Sequence, residues 1–213
     1  VYKRQAYYYI FCNSAGVIML EGKKVLLVIT GGIAAYKSLE LIRLLQISKA
    51  SVVPVMTKSA QQFLKPLSVA AIAGSKVYTE LFDLTAESEM GHIELSRSAD
   101  IILVAPASAD FLSKMAQGIC DDLATTILLA TDTPVLVAPS MNVRMWHHPA
   151  TQRNMHAINS DGIFTIGPNE GDMACGEFGH GRMAEPAEIT TFLDNYFKVG
   201  PLSGKRIIVT SGT

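Results

Sequence analysis

Apolar residues in this chain fall into two alternating patterns. Short unbroken runs occupy residues 24–29 (Lys24-Val25-Leu26-Leu27-Val28-Ile29), 51–56, 100–105, 134–138 and 163–166. Continuous apolar runs with β-branched residues suit strands buried on both faces. Between them the spacing becomes helical: residues 34–47 put Leu39, Ile42 and Leu45 on one face. Helices are also expected over 60–64, from Pro66 to about 73, over 108–118, from Asp121-Asp122 through 130, and over 187–198. The two aspartates suit a helix start, where carboxylates accept free amides and oppose the helix dipole. Thr30-Gly31-Gly32 breaks the first strand, Pro106 is expected to stop the third, and residues 168–183 read as loop. This βαβα order predicts an α/β fold: a Rossmann-like (flavodoxin-like) three-layer sandwich with a mostly parallel sheet and helices on both faces. Ligands of such sheets sit at the carboxyl ends of the strands.

Composition narrows the picture. The chain has 213 residues, 49% of them apolar, which supports a sizeable core in one domain or one domain with a stub of another. The formal net charge is -1, and lysine and arginine are scattered, which argues against nucleic acid as a partner. No apolar run reaches the length of a membrane span. Cys12, Cys120 and Cys175 form neither a disulfide framework nor a metal-type pair, so a reducing, cytoplasmic setting is expected. Residues 1–18 combine Lys3 and Arg4 with a tyrosine-rich run too short for a signal peptide. They are expected to be a non-native leader, with a genuine arm or strand as the alternative. Residues 19–198 then form the main domain. Residues 199–213 read as a linker and the first strand of a further α/β domain.

Several segments carry candidate chemistry. The run Asp172-Met173-Ala174-Cys175-Gly176-Glu177-Phe178-Gly179-His180-Gly181-Arg182-Met183 sets one thiol among three glycines and closes on an arginine. Glycine raises the entropy cost of ordering a backbone, so this composition suits a flap over a ligand better than a core segment. Cys175 is then a candidate acid or nucleophile, and Arg182 a candidate anion clamp. The turn Thr30-Gly31-Gly32-Ile33-Ala34-Ala35-Tyr36-Lys37 lets backbone approach a phosphate, and Thr57-Lys58-Ser59 adds hydroxyls and a cation. A third glycine and an acidic residue after the second strand are missing, so this is not the dinucleotide fingerprint. By spacing alone an ordinary tight turn fits as well as a mononucleotide site.

Ser108, in Pro106-Ala107-Ser108-Ala109-Asp110-Phe111, suits a helix cap or a ligand contact, capping being commoner. Ser140-Met141-Asn142-Val143-Arg144-Met145-Trp146 gathers an amide, two methionines and the single tryptophan at a strand end. Asn142 can both donate and accept toward a carboxylate or amide. Core packing is the simpler reading for Trp146. His92 precedes a helix-like run, where a lone histidine is more often structural than catalytic. His147, His148 and His156 read as polar helix surface, His180 is a weak candidate within the flap, and Cys120 reads as a small buried apolar residue.

Together these pieces resemble the flavin-dependent phosphopantothenoylcysteine decarboxylase family over about residues 22–198. They are most similar to the N-terminal half of members that also carry a phosphopantothenate–cysteine ligase. The resemblance rests on Gly31 to Lys37, on Gly91-His92-Ile93, on Ala105 to Asp110, on Pro139 to Trp146, and on Ala174-Cys175-Gly176 with Gly181-Arg182-Met183. It implies non-covalent FMN on Gly31, Gly32, Ile33, Thr57, Lys58, Ser59, Ser108, Ala109, Asp110, Phe111 and Ser140. It implies His92, Asn142 and Cys175 as catalytic residues, Cys175 being the proton donor. Substrate contacts would come from Asn142, Met145, Ala174, Gly176, Arg182 and Met183, with no metal. Asp110 and Ser140 stand where many relatives carry asparagine and alanine.

The implied reaction turns 4'-phosphopantothenoyl-cysteine into 4'-phosphopantetheine in coenzyme A synthesis. Oxidation at the sulfur-bearing carbon gives a thioaldehyde, an electron sink for loss of CO2. The resulting enethiolate is then reduced and protonated, so no nicotinamide is consumed. The resemblance also implies a homo-oligomer (trimer or dodecamer) and, in a longer parent, CTP-dependent ligation of cysteine. Two alternatives are a peptidyl-cysteine decarboxylase, which would not need Cys175, and a non-catalytic flavin-binding regulatory protein, which would not need His92 or Cys175.

Overall fold

A computed structural model describes residues 20–80, 91–174 and 176–198. The 1–18 leader, Cys175, the side chain of His92 and the 199–213 segment lie outside the described residues. Five strands form one sheet: β1 (Lys24–Ile29), β2 (Ser51–Met56), β3 (Ile101–Ala107), β4 (Val135–Pro139) and β5 (Phe164–Thr165). Their order is β2-β1-β3-β4-β5 and every pairing is parallel. The intervening helices are α1 (Lys37–Ile47), α2 (Pro66–Ala73), α3 (Gly91–Arg97), α4 (Ala109–Gln117), α5 (Leu123–Leu129), α6 (Val143–His147) and α7 (Pro149–Ser160). A hairpin of β6 (Asn169–Asp172) and β7 (Phe178–Arg182) follows, and α8 (Pro186–Lys198) closes the domain. No helix among the described residues is long and apolar enough to cross a membrane.

The period of two along the central strands sorts the core into two layers. Val25, Leu27 and Ile29 of β1 and Ile101, Leu103 and Ala105 of β3 pack with α1, α2 and α8. Leu26 and Val28 of β1 and Ile102 and Val104 of β3 pack on the other face, with Phe111, Leu112, Ile127 and Ile158 from α4, α5 and α7. The three-layer expectation therefore holds. Each fully buried Leu, Ile or Val contributes about 1.5–3 kcal/mol by leaving water.

Several local expectations need correction. Residues 33–36 make a tight 3-10 turn and α1 begins only at Lys37, while 60–62 form a single 3-10 turn in place of a helix. Strand β3 does not stop at Pro106 but runs to Ala107. Proline lacks an amide proton, yet its carbonyl accepts both the backbone N–H of Thr30 (3.3 Å) and the Thr30 hydroxyl (2.7 Å), which keeps the segment tied to β1. The 168–183 loop is an antiparallel hairpin, in which Gly171 faces Gly179. Its glycine content hid the strands, because glycine supplies no side-chain strand preference. Cys120 is exposed, since it falls in the turn after α4 instead of on the apolar face.

The amino ends of β1 and β3 are fastened by Asp100. Its carboxylate accepts the Lys24 N–H at 2.8 Å and pairs with the Lys23 ammonium at 3.1 Å. Partial burial pushes the Asp100 carboxyl up, but the Lys24 amide and the Lys23 ammonium outweigh it and hold the group below its ordinary value of 3.8. A carboxylate with a lowered folded-state value stabilises above its unfolded value and loses that contribution as pH falls through the folded value. Asp100→Asn should therefore lower thermal stability at pH 7 by about 1 kcal/mol, a figure already discounted for solvent screening. The gap to the parent should close as pH falls below 3.8. Thermal melts showing the same gap at about pH 2 as at pH 7 would remove Asp100 from this role.

Candidate active site

Four turns converge at the carboxyl ends of β1, β2, β3 and β4. Thr30 sets two of them against each other: its hydroxyl donates to the Pro106 carbonyl and accepts the Ser108 N–H at 2.9 Å. Ser140 N–H donates to the Ala107 carbonyl at 2.9 Å, which brings the β4 turn alongside. The β1 and β2 turns touch at Gly31, where any Cβ would lie 2.5 Å from Ser59 Cβ. Only glycine lets these two turns close.

The hairpin β6–β7 lies against this edge. Met141 N–H donates to the Gly181 carbonyl at 2.9 Å. A side chain at Gly181 would strike the Met141 carbonyl and lie 2.7 Å from Met173 Cε. The glycine run thus serves a close backbone approach. At Gly181 it fixes the hairpin onto the β4 turn.

Between the strand tips and the hairpin lies a cavity of about 770 Å3. Gly31, Gly32, Ile33, Ser59, Ser108, Ala109, Asp110 and Ser140 line it, all expected from sequence for a cofactor. Asn142, Met145, Ala174, Arg182 and Met183 line it as well, as expected for a substrate. Thr57, Lys58 and Phe111 border an adjoining hollow of about 190 Å3, which shares Gly31, Ser59, Ser108 and Asp110 with the larger space. Gly176 is not among the lining residues. Ser108 does cap α4, its hydroxyl accepting the Phe111 N–H at 3.3 Å, so its capping and lining roles coexist.

Asn142 is held from two sides. Its Oδ1 accepts the Arg144 N–H at 2.8 Å as the cap of α6, and its Nδ2 donates to Glu177 of the hairpin. Glu177 in turn accepts from Arg144 Nε at 3.0 Å. The amide orientation follows from this network, because only the oxygen can accept the Arg144 N–H.

Other residues of the site were not assigned from sequence. Ile33, Tyr36, Phe63 and Met145 form an exposed apolar rim, of which only Ile33 and Met145 were anticipated. Lys37 lines the cavity with its side chain only 8% exposed, and its ammonium donates to Glu185 Oε1 at 2.7 Å and the Met183 carbonyl at 3.4 Å. The same carboxylate oxygen meets Arg182 Nη2 at 3.2 Å, so Arg182 is partnered within the chain. A signal for Lys37 was present: it precedes Leu41 and Leu45 by four and eight positions, so it falls on the buried stripe of α1. Trp146 is half-buried against the α4/α7 side of the core, close to its expected packing role. His148 caps α7 by accepting the Ala150 N–H at 3.1 Å, and His147 meets His180 edge-on at 6.4 Å between ring centres. Among the described residues no group of three or more His, Cys, Asp or Glu is placed to hold a metal.

Comparison with known proteins agrees with this architecture. The coenzyme A biosynthesis bifunctional protein CoaBC of Haemophilus influenzae is 48% identical over 194 residues, covering 91% of this chain and 48% of its own length. The chain spans about half the length of the curated relatives it matches. Among solved structures, a PPC decarboxylase variant complexed with pantothenoylaminoethenethiol superposes with a TM-score of 0.76 at 37% identity, over 83% of this chain and 98% of that one. The FMN binding protein AtHal3 superposes with a TM-score of 0.74 at 37% identity, over 84% and 98%. The Flavoprotein family model matches residues 16–198, and the chain belongs to that family.

Proposed function

We propose that the chain is an FMN-dependent decarboxylase that converts 4'-phosphopantothenoyl-cysteine into 4'-phosphopantetheine and CO2 in coenzyme A biosynthesis. The observation that carries the reading is the lining of the main cavity. Hydroxyls and glycines at the strand tips line it, and Gly31 leaves no room for a Cβ there. Ile33, Tyr36, Phe63 and Met145 add apolar lining, and Asn142 adds an oriented amide. Glycine turns and hydroxyls suit an anionic tail, and apolar side chains suit a flat ring. Likeness to a PPC decarboxylase and to an FMN binding protein supports the same assignment.

In this reading Gly31, Gly32, Ile33, Thr57, Lys58, Ser59, Ser108, Ala109, Asp110, Phe111 and Ser140 hold FMN. When bound, FMN supplies the two-electron chemistry at the sulfur-bearing carbon and is regenerated within one turnover. Asn142, braced by Glu177 and the Arg144 amide, orients the substrate carboxylate and amide. A braced group loses little freedom on binding, which favours a reactive geometry. Cys175 delivers the proton that completes the thiol product, and His92 governs charge during thiol oxidation or carboxylate loss. Met145, Ala174, Gly176, Arg182 and Met183 close around the substrate. Overall the reaction replaces a carboxylate by a proton and is redox-neutral.

The protein is further proposed to act in the cytoplasm as a homo-oligomer, a trimer or a dodecamer. The exposed side chains of Ile33, Tyr36 and Phe63 around the cavity mouth support self-association, since apolar patches of this kind mark contact surfaces. In a parent protein with a second half, that half is proposed to ligate cysteine using CTP.

A purified sample should be yellow and release CO2 from the phosphorylated substrate; a folded sample that stays colourless after added FMN would overturn the proposal. His92→Asn should keep the colour and lose CO2 release by about a hundredfold or more, the usual scale for a lost acid–base group. Unchanged turnover would remove His92 from the reaction. Cys175→Ser should still bind flavin and release CO2 but accumulate the oxidised enethiol, detectable by mass spectrometry two hydrogens short of the thiol product. Normal yields of 4'-phosphopantetheine from that variant would exclude the acid role.

A further inference from the structure

The smaller hollow beside the main cavity is lined by groups with opposite effects on an anion. Thr57, Lys58, Ser59 and Ser108 are among its lining residues. Thr57 Oγ1 accepts the Ala60 N–H at 3.2 Å and Ser108 Oγ accepts the Phe111 N–H at 3.3 Å, so each hydroxyl keeps its proton to donate to a further group. These groups suit an anion. Asp110, Asp121 and Asp122 also line the hollow, and their carboxylates would repel one.

Lys114 of α4 stands between these demands. Its ammonium meets both carboxylate oxygens of Asp121, at 3.1 and 3.0 Å, and lies 3.8 Å from Asp110. Asp122 is engaged separately: it caps α5 by accepting the Thr125 N–H at 2.8 Å, where the helix start offsets part of its charge. Asp110 is the carboxylate left most open, with its side chain 78% exposed, and among the described residues Lys114 is its only ion-pair partner. Lys114 itself is only 25% exposed, so it is fixed in place more firmly than a surface lysine.

We infer that Lys114 is the charge-compensating residue that lets this hollow accept a phosphate dianion, by offsetting Asp121 and Asp110. It is a positioning residue and acts through the field it sets at the hollow. The inference rests on the flavin reading above and deepens it: discrimination between FMN and its dephosphorylated form depends on Lys114 as well as on the hydroxyls that line the same hollow. Hydrogen bonding to Asp121 raises the Lys114 ammonium above its ordinary value, with burial opposing and the three aspartates adding to the rise, so the compensating charge is present throughout the physiological range.

The test titrates flavin-free protein with FMN and, separately, with riboflavin, following flavin fluorescence. Lys114→Met should weaken FMN roughly tenfold while leaving riboflavin within about twofold, because only the phosphate feels the lost charge. Asp110→Asn should raise the ratio of FMN to riboflavin affinity about threefold, and placing it in the Lys114→Met background should recover much of the loss. Raising salt to about 0.5 M should shrink the FMN differences by screening. Equal weakening of FMN and riboflavin by Lys114→Met would mean that the lysine only props the fold, and would overturn the inference. Should Lys114→Met show no cooperative melt, Asp110→Asn alone decides, and an unchanged ratio of FMN to riboflavin affinity overturns it. A folded parent protein that binds neither flavin would instead overturn the flavin reading itself.

Discussion

The site depends on one side chain spanning two strand tips. Thr30 ends β1, and its hydroxyl donates to Pro106 and accepts from the Ser108 amide of the neighbouring strand. Both bonds are buried or nearly so, and a buried hydroxyl that gives and receives in this way is satisfied without water. The pin sets the β1 and β3 turns at one height. It also lets β3 continue through a proline that would otherwise end it. Ser140, reaching back to Ala107, extends the same alignment to β4. A parallel sheet carries all its strands to one edge, and these bonds turn that edge into a continuous floor.

Above the floor, the hairpin is held by contacts that only small residues permit. Gly181 allows Met141 to reach its carbonyl, and Glu177 joins the hairpin to Asn142 and Arg144. The amide that faces the cavity is therefore oriented by an element far along the chain as well as by its own helix cap. Charge is arranged with similar economy. Lys37 would be costly to bury alone, and Glu185 neutralises it while also meeting Arg182. Lys37 is deeply buried, while Arg182 is 40% exposed.

Much of this was legible in the chain. Alternating apolar runs and helical stripes determined the α/β class, the positions of the five strands of the parallel sheet to within a residue or two, and the placement of hydroxyls, glycines and an amide just after strand ends. The reason is local: burial on both faces demands unbroken apolar strands, and turns at strand tips demand small or polar residues. Ser108, Asp122 and Gly31 could be singled out for the same reason, since capping and close approach are short-range effects. Residues with two roles were harder to read, as with Ser108, which caps α4 and lines the cavity together.

What only the tertiary structure decided involves partners far apart in sequence. Lys37 and Glu185 are 148 positions apart, Thr30 and Ser108 are 78, and Asn142 and Glu177 are 35. No periodicity encodes such pairs. The hairpin was misread as loop because its strands are held by backbone bonds and by the β4 turn, while its glycines give no strand preference of their own. Cys120 was misread for the converse reason: its type suggests burial, but the turn after α4 leaves it in water. The chain by itself determined which chemistry stands at the strand tips; folding decided which of those groups face one another, because distance in space is set by the sheet and not by the order of residues.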